Sequence, residues 1–216
     1  MNCLSVLRDA AYFFQRNLPV IAALCLPALI VETLAQGALR LWLGEDANQA
    51  YGLIVGIMCY PLYAAPLISF VRLRQHSEQV DRAAIWRITW AAWPRFVVLT
   101  GVSTLAIILG LSLLILPGLY VLVRLAFAEL TLIHEGLSPF QAIGRSLEMT
   151  QGRFWLVASS LLAVMVPIWL LSALSEPAEV MSLGWLVHQV IFGLTQLFAL
   201  VVLMRLYLFF GGARNQ

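Results

Sequence analysis

The sequence predicts an all-α, polytopic membrane protein: six transmembrane helices forming three hairpins, each preceded by a short cytoplasmic interfacial helix. Three observations carry this. Of 216 residues, 62% are apolar and 11% charged, against about 45–50% and about 25% in soluble domains, which is more apolar surface than one soluble core can bury. Windows of about 20 apolar residues, the length that crosses about 30 Å of hydrocarbon, recur near 18–39, 51–71, 96–115, 118–134, 154–174 and 185–207. The arginines gather at alternate ends of these windows.

The opening MNCLSVLRDAAYFFQRNLPVIAALCLPALIV has a lead of 17 residues and then an apolar stretch longer than a secretory signal. Glu32 comes next, with no small-x-small cleavage site, so the stretch is expected to stay as the first span. Leu24, just before Cys25, argues against a lipoprotein site. Cys3, Cys25 and Cys59 are odd in number, with two inside spans, and give neither a disulfide framework nor metal spacing.

From Phe96 to Ile133 the chain runs apolar for 38 residues, roughly 57 Å as a helix and almost twice a bilayer. It must fold back, and Leu116-Pro117-Gly118 is the expected turn, because proline breaks the helical pattern and glycine tolerates positive φ. Ser138-Pro139-Phe140-Gln141 then supplies a cap serine, proline at the first helical position and glutamine for a capping box. In the helix so begun, Phe140, Ile143 and Leu147 share one face and Gln141, Arg145 and Glu148 another, the pattern of a helix lying in the interface plane. Trp86, Trp90 and Trp93 likewise fall on one face, as expected of an interfacial anchor.

Orientation comes from arginine, for the chain has no lysine and cytoplasmic loops carry the positive excess. Arg8, Arg16, Arg72, Arg74, Arg82, Arg87, Arg95, Arg145, Arg153, Arg205 and Arg214 fall on one side; the other has Arg40 with Glu45, Asp46, Glu176 and Glu179. Both termini are therefore expected in the cytoplasm. A net charge of +2 gives no support to a nucleic-acid partner, and the basic loops are explained by orientation and attraction to anionic lipid.

An ungapped match at an offset of 58 superposes Ala84-Ile85 on Ala142-Ile143, Arg87 on Arg145 and Arg95-Phe96 on Arg153-Phe154. Arg8 and Arg16 repeat the spacing before the first span. The sequence thus reads as one membrane domain over 1–216 built from tandem units of about 1–79, 80–137 and 138–216. Arg8, Arg87 and Arg145 would sit on interfacial helices, with Arg16, Arg95 and Arg153 at the mouths of the next spans.

The stretch LPGLYVLVRLAFAELTLIHEG, together with AIGRSLEMTQGRFW just after it, resembles the signature of the YciC-like family of bacterial inner-membrane proteins. More distantly it is similar to the membrane domain attached to some bacterial glycerophosphodiester phosphodiesterases. The likeness is clearest over 115–157 and is carried by Pro117-Gly118, Arg124, Glu135, Ala142, Arg145-Ser146, Leu147, Thr150 and Gly152. It implies a bacterial inner-membrane location and no assigned biochemical activity. The phosphodiesterases carry their chemistry in a separate soluble barrel, and the chain ends six residues after Phe210, so that activity is not expected here.

The ionisable residues singled out within spans are Glu32, Arg124, Glu129 and His188. A charge at the bilayer centre costs about 2.5–3.5 kcal/mol on insertion scales, so something must offset it. Arg124 and Glu129 are about 10 Å and 18 Å from the Pro117-Gly118 turn and roughly 140° apart around the helix, too far for mutual pairing. Arg124 is therefore expected to face the bundle interior and pair with Glu32, or with Glu129 of a second copy. His188, Gln189 and Gln196 are weaker signals, and His76 and His134 complete no metal spacing. Nucleophile elbows, zinc motifs and phosphate loops are absent from the sequence, so neither catalysis nor a cofactor is expected.

Two function classes remain open. One is a non-catalytic scaffold or accessory component holding a membrane partner, lipid or second copy. The other is a small transporter or channel with a polar route past Glu32, Arg124, Glu129 and His188. Units of one orientation favour the first, since transporters more often carry inverted repeats.

Overall fold

The computed structural model describes residues 3–76, 81–174 and 180–212. Glu176, Glu179 and Arg214, used in the orientation argument, lie outside the described residues. Every element among the described residues is a helix: α1 (Cys3–His76), α2 (Arg82–Leu113), α3 (Ile115–Leu125), α4 (Ala128–His134), α5 (Pro139–Thr150), α6 (Phe154–Leu174) and α7 (Leu183–Gly212). Five stretches are long and apolar enough to cross a bilayer: Ser5–Gly44 and Ala50–Arg74 within α1, Arg82–Leu113, Ile115–His134, and Leu183–Phe210. The bent pair α5–α6 can supply a sixth. Intact helices satisfy every backbone group internally, which hydrocarbon demands.

Helix α1 is broken at Gly44, whose φ of 75° and ψ of 176° suit glycine far better than any other residue. The two limbs then run antiparallel. The Cys25 thiol donates to the Tyr63 carbonyl at 3.4 Å, and Glu32 lies beside Gly56. Helix α7 runs antiparallel to the first limb: Trp185 packs on Gly37, Leu29 on Gly193, and the Arg205 guanidinium lies 4.7 Å from the Phe13 ring centre.

The reversal inside the long apolar run comes at Leu114, two residues before the expected turn. Leu114 alone is extended (φ −167°, ψ 159°) between α2 and α3, and Pro117-Gly118 falls in the first turn of α3. Glycine serves here for closeness and not for positive φ. A Cβ on Gly110 would come within 2.8 Å of the Gly118 Cα, and one on Gly118 within 2.8 Å of the Leu111 nitrogen.

The span expected over 118–134 is interrupted at Ala126-Phe127. Ser146 of α5 sits in the break: its hydroxyl donates to the Arg124 carbonyl at 2.8 Å and accepts from the Phe127 N–H at 3.1 Å. Thr131 Oγ1 donates to the Ala142 carbonyl at 3.2 Å. These contacts fix α5 antiparallel to α4. Helix α5 begins as expected, with Pro139 in its first turn and Gln141 Oε1 accepting from both the Ser138 N–H and hydroxyl. Its buried face is Ala142, Ser146 and Thr150, so small side chains admit α4 while Phe140 and Leu147 point outward.

Of the three short helices expected before the spans, only the third is separated from its neighbour. Gly152 (φ 73°) lies between α5 and α6, which are bent by 103°. At the corresponding places Pro94 and Gln15 leave the helix unbroken, so the segments bearing Arg8 and Arg87 run straight into the helices beyond them. Proline in the middle of α2 is tolerable because neighbouring helices can satisfy the carbonyl it frees.

Candidate binding cavity

Charged residues inside apolar helices need either a partner or water, and the fold gives two of them a shared space. A cavity of about 850 Å³ lies between both limbs of α1, α2, α3, α4, α6 and α7. Its apolar wall includes Ile57, Ile107, Leu122, Leu161 and Met165. Its polar lining is built from Glu32, Gln36, Tyr60, Tyr63, Glu129, Gln189 and Gln196, together with Thr100, Ser103 and Thr104 of α2. It reaches the surface beside Arg40 and Leu53, both exposed.

Each carboxylate is held by a neighbour that leaves an oxygen over. The Tyr60 hydroxyl donates to Glu129 Oε2 at 2.6 Å, and its ring meets Tyr63 edge-on with centroids 5.3 Å apart. The Gln36 amide donates to Glu32 Oε1 at 3.0 Å, one helical turn away. The Tyr63 hydroxyl faces the same carboxyl group. Glu32 Oε2 and the Thr100 hydroxyl are buried with no hydrogen-bond partner. Unpaired buried polar atoms are rare in folded proteins and ask for an explanation.

A second, smaller cavity of about 250 Å³ shares Glu32, Gln36, Tyr63, Gln189 and Gln196 with the first and adds His188, Thr33 and Phe192. Glu32 and Tyr63 thus stand in the partition between the two. Three of the four residues singled out within the spans, Glu32, Glu129 and His188, line one or other of these two cavities.

Arg124 does not. It lines neither cavity, and the expected pair with Glu32 is not formed: the ion pairs among the described residues join Arg145 to Glu135 and to Glu148. The Arg124 guanidinium lies 5.9 Å from the Tyr120 ring centre, its Nε buried without a partner. The reason is rotational. Leu122, Leu125, Ala126 and Glu129 turn one face of the span to the cavity, and Arg124 falls outside that arc. A polar route would pass Glu32, Glu129 and His188 only.

The arginines of the repeat meet different surroundings. Arg8, Arg16 and Arg87 are exposed. Arg95 donates to the Gly136 carbonyl at 3.4 Å, Arg145 bridges the two acids, and Arg153 lies 4.3 Å from the Phe210 ring centre. Arg72, with no part in the repeat, donates to the Ile133 carbonyl at 2.8 Å, so two arginines satisfy carbonyls at and just beyond the end of α4. Glu135 also accepts from the Tyr207 hydroxyl at 2.9 Å.

Tyr60, Tyr63 and Gln36 are neighbours of the two acids that sequence reasoning misses. The one signal that could find them is spacing: Gln36 stands four after Glu32, and the tyrosines, three apart, share a helical face. Among the described residues no group of three or more His, Cys, Asp or Glu side chains is placed to hold a metal ion. The chain matches no protein-family model and no solved structure.

Proposed function

We propose that this chain is a non-catalytic, multi-pass protein of a bacterial inner membrane that takes a small solute or a lipid headgroup into the cavity. The observation that carries this reading is the convergence of Glu32 and Glu129, from distant parts of the chain, on one 850 Å³ space with buried polar atoms left over. Intramembrane acids are expensive and mark ligand or ion sites by default. In this reading α5–α6 provides the sixth span, the three units share one orientation, and both termini lie in the cytoplasm with the Arg40 mouth on the far side. The arginine asymmetry supports that placement, and the resemblance over 115–157 to the YciC-like family supports the inner membrane.

The test is to fill the cavity. Native mass spectrometry from mild detergent should find a small molecule or lipid retained by the native chain. The double variant Gly56→Leu/Thr104→Trp, monodisperse and helical, should lose it. A native chain that carries nothing under these conditions and gains no ligand from membrane extract would sink the reading.

An accessory role through a membrane partner has its own support in α5 and the start of α6. Phe140 is 71% and Trp155 82% exposed, apolar surface open to a membrane partner as well as to lipid. Under that reading Phe140→Ser/Trp155→Ser loses a copurifying protein that the cavity-filled variant keeps.

A further inference from the structure

Resting on the cavity reading above, we infer that the ligand is an organic cation on an apolar body: a protonated amine or quaternary ammonium group seated between Glu32 and Glu129. Three features of the cavity converge on this chemistry. Among the described residues its interior acidic groups are Glu32 and Glu129, while its one cationic lining residue, Arg40, sits exposed at the mouth. Eight residues separate Arg40 from Glu32, about 12 Å along the helix, so the arginine does not neutralise the acid at depth.

The polar atoms left over favour acceptance from a donor. Glu32 Oε2 is buried and unpartnered. Glu129 has one oxygen on Tyr60, and its second can accept from a ligand. A ligand ammonium would serve both acids, and it would recover the strength that a charge-assisted bond has away from water. Tyr60, Tyr63 and Trp185 put aromatic rings in the lining of the same cavity, the surroundings in which quaternary ammonium groups are held. An anion would meet two carboxylates and no interior cation among the described residues. A neutral alcohol would satisfy one oxygen and leave the charges unmatched.

The apolar wall fixes the rest of the ligand. Leu53, Ile57, Ile107, Leu122 and Met165 leave room for a hydrocarbon portion beside the charged end. The amine of a lipid headgroup and that of a free amphipathic solute share this chemistry.

The experiment uses the full chain in a neutral detergent and measures binding of dodecylamine, dodecyltrimethylammonium, dodecanol and dodecyl phosphate by equilibrium dialysis. Both cations should bind at least about tenfold more tightly than the alcohol and the phosphate. Glu32→Gln and Glu129→Gln, near-isosteric changes, should each lower cation affinity by about tenfold or more while leaving dodecanol unchanged. Where a variant fails to fold, the comparison of the four probes on the native chain still decides. Displacement of dodecylamine by phosphatidylethanolamine and not by ethanolamine assigns a lipid headgroup; the reverse assigns a free amine. Equal binding of all four probes, abolished by Gly56→Leu/Thr104→Trp, overturns the charge selectivity and leaves the cavity reading standing. No binding of any probe overturns both.

Discussion

At the scale of single residues, Arg124 and Glu129 show how far a sequence can place a charge. Both stand out as ionisable groups deep in an apolar run, and helix geometry separates them by roughly 140°. That much is legible, and the structure keeps them apart. Their partners are not legible, because periodicity gives a residue's angle on its own helix and says nothing of which neighbour stands opposite. Glu129 meets Tyr60 at 2.6 Å, a residue 69 positions away with no charge to advertise it. Arg124 turns to Tyr120, one turn back on its own helix. A direct consequence concerns Arg124 and Glu32. Without a shared contact, the stability losses of Arg124→Ala and Glu32→Ala should add to within about 0.5 kcal/mol in the double variant, as read from thermal melting in detergent. A coupling energy beyond about 1 kcal/mol would mean that the two groups do meet.

At the scale of elements, hydropathy suffices for the kind of element, and the capping residues for the start of α5. The breaks are harder to read. The α2–α3 reversal needs a breaker in a 38-residue run, and proline before glycine is the evident one; yet Leu114 turns the chain, while Gly110 and Gly118 let the two helices touch. The interruption at Ala126-Phe127 has no local breaker at all. It is stabilised from outside by Ser146, whose hydroxyl takes over the carbonyl and N–H that the break frees. Two glycines separate these roles. Gly118→Ala forces a Cβ into the Leu111 backbone and should cost about 1–3 kcal/mol or more. Gly144, exposed in the middle of α5 with open space around its missing Cβ, should gain roughly 0.5–1 kcal/mol as alanine, because glycine loses more backbone freedom in a helix. Equal melting shifts in the two variants would show that close packing at the α2–α3 turn is not what its glycine provides.

For the whole molecule, the number of crossings turns on α5 and α6. Five of the stretches are long and apolar enough to cross, and an odd count would leave the two termini on opposite faces of the membrane. Contacts between helices argue for an even one. Glu135, between α4 and α5, is bonded to Tyr207 near the end of α7, whereas the start of α7 packs by Trp185 on Gly37, near the Gly44 break. The chain must therefore travel between those two ends within residues 139–182, and α6, the apolar arm of the bent pair, is the segment available to do it. The bend of 103° separates α5, which lies against α4, from α6, the apolar arm that the proposed sixth span requires. Parity can be read in cells. A reporter that works only in cytoplasm, fused after Gln216, should be active, as should one fused ahead of Met1. In a chain with Cys3, Cys25 and Cys59 replaced by alanine, a cysteine at Leu53 should react with an impermeant maleimide applied outside the inner membrane, while one at Ser138 should react only after that membrane is opened. Reporter activity at one terminus alone would make the count odd, put α6 on one side of the bilayer, and remove the wall that Leu161 and Met165 give the cavity.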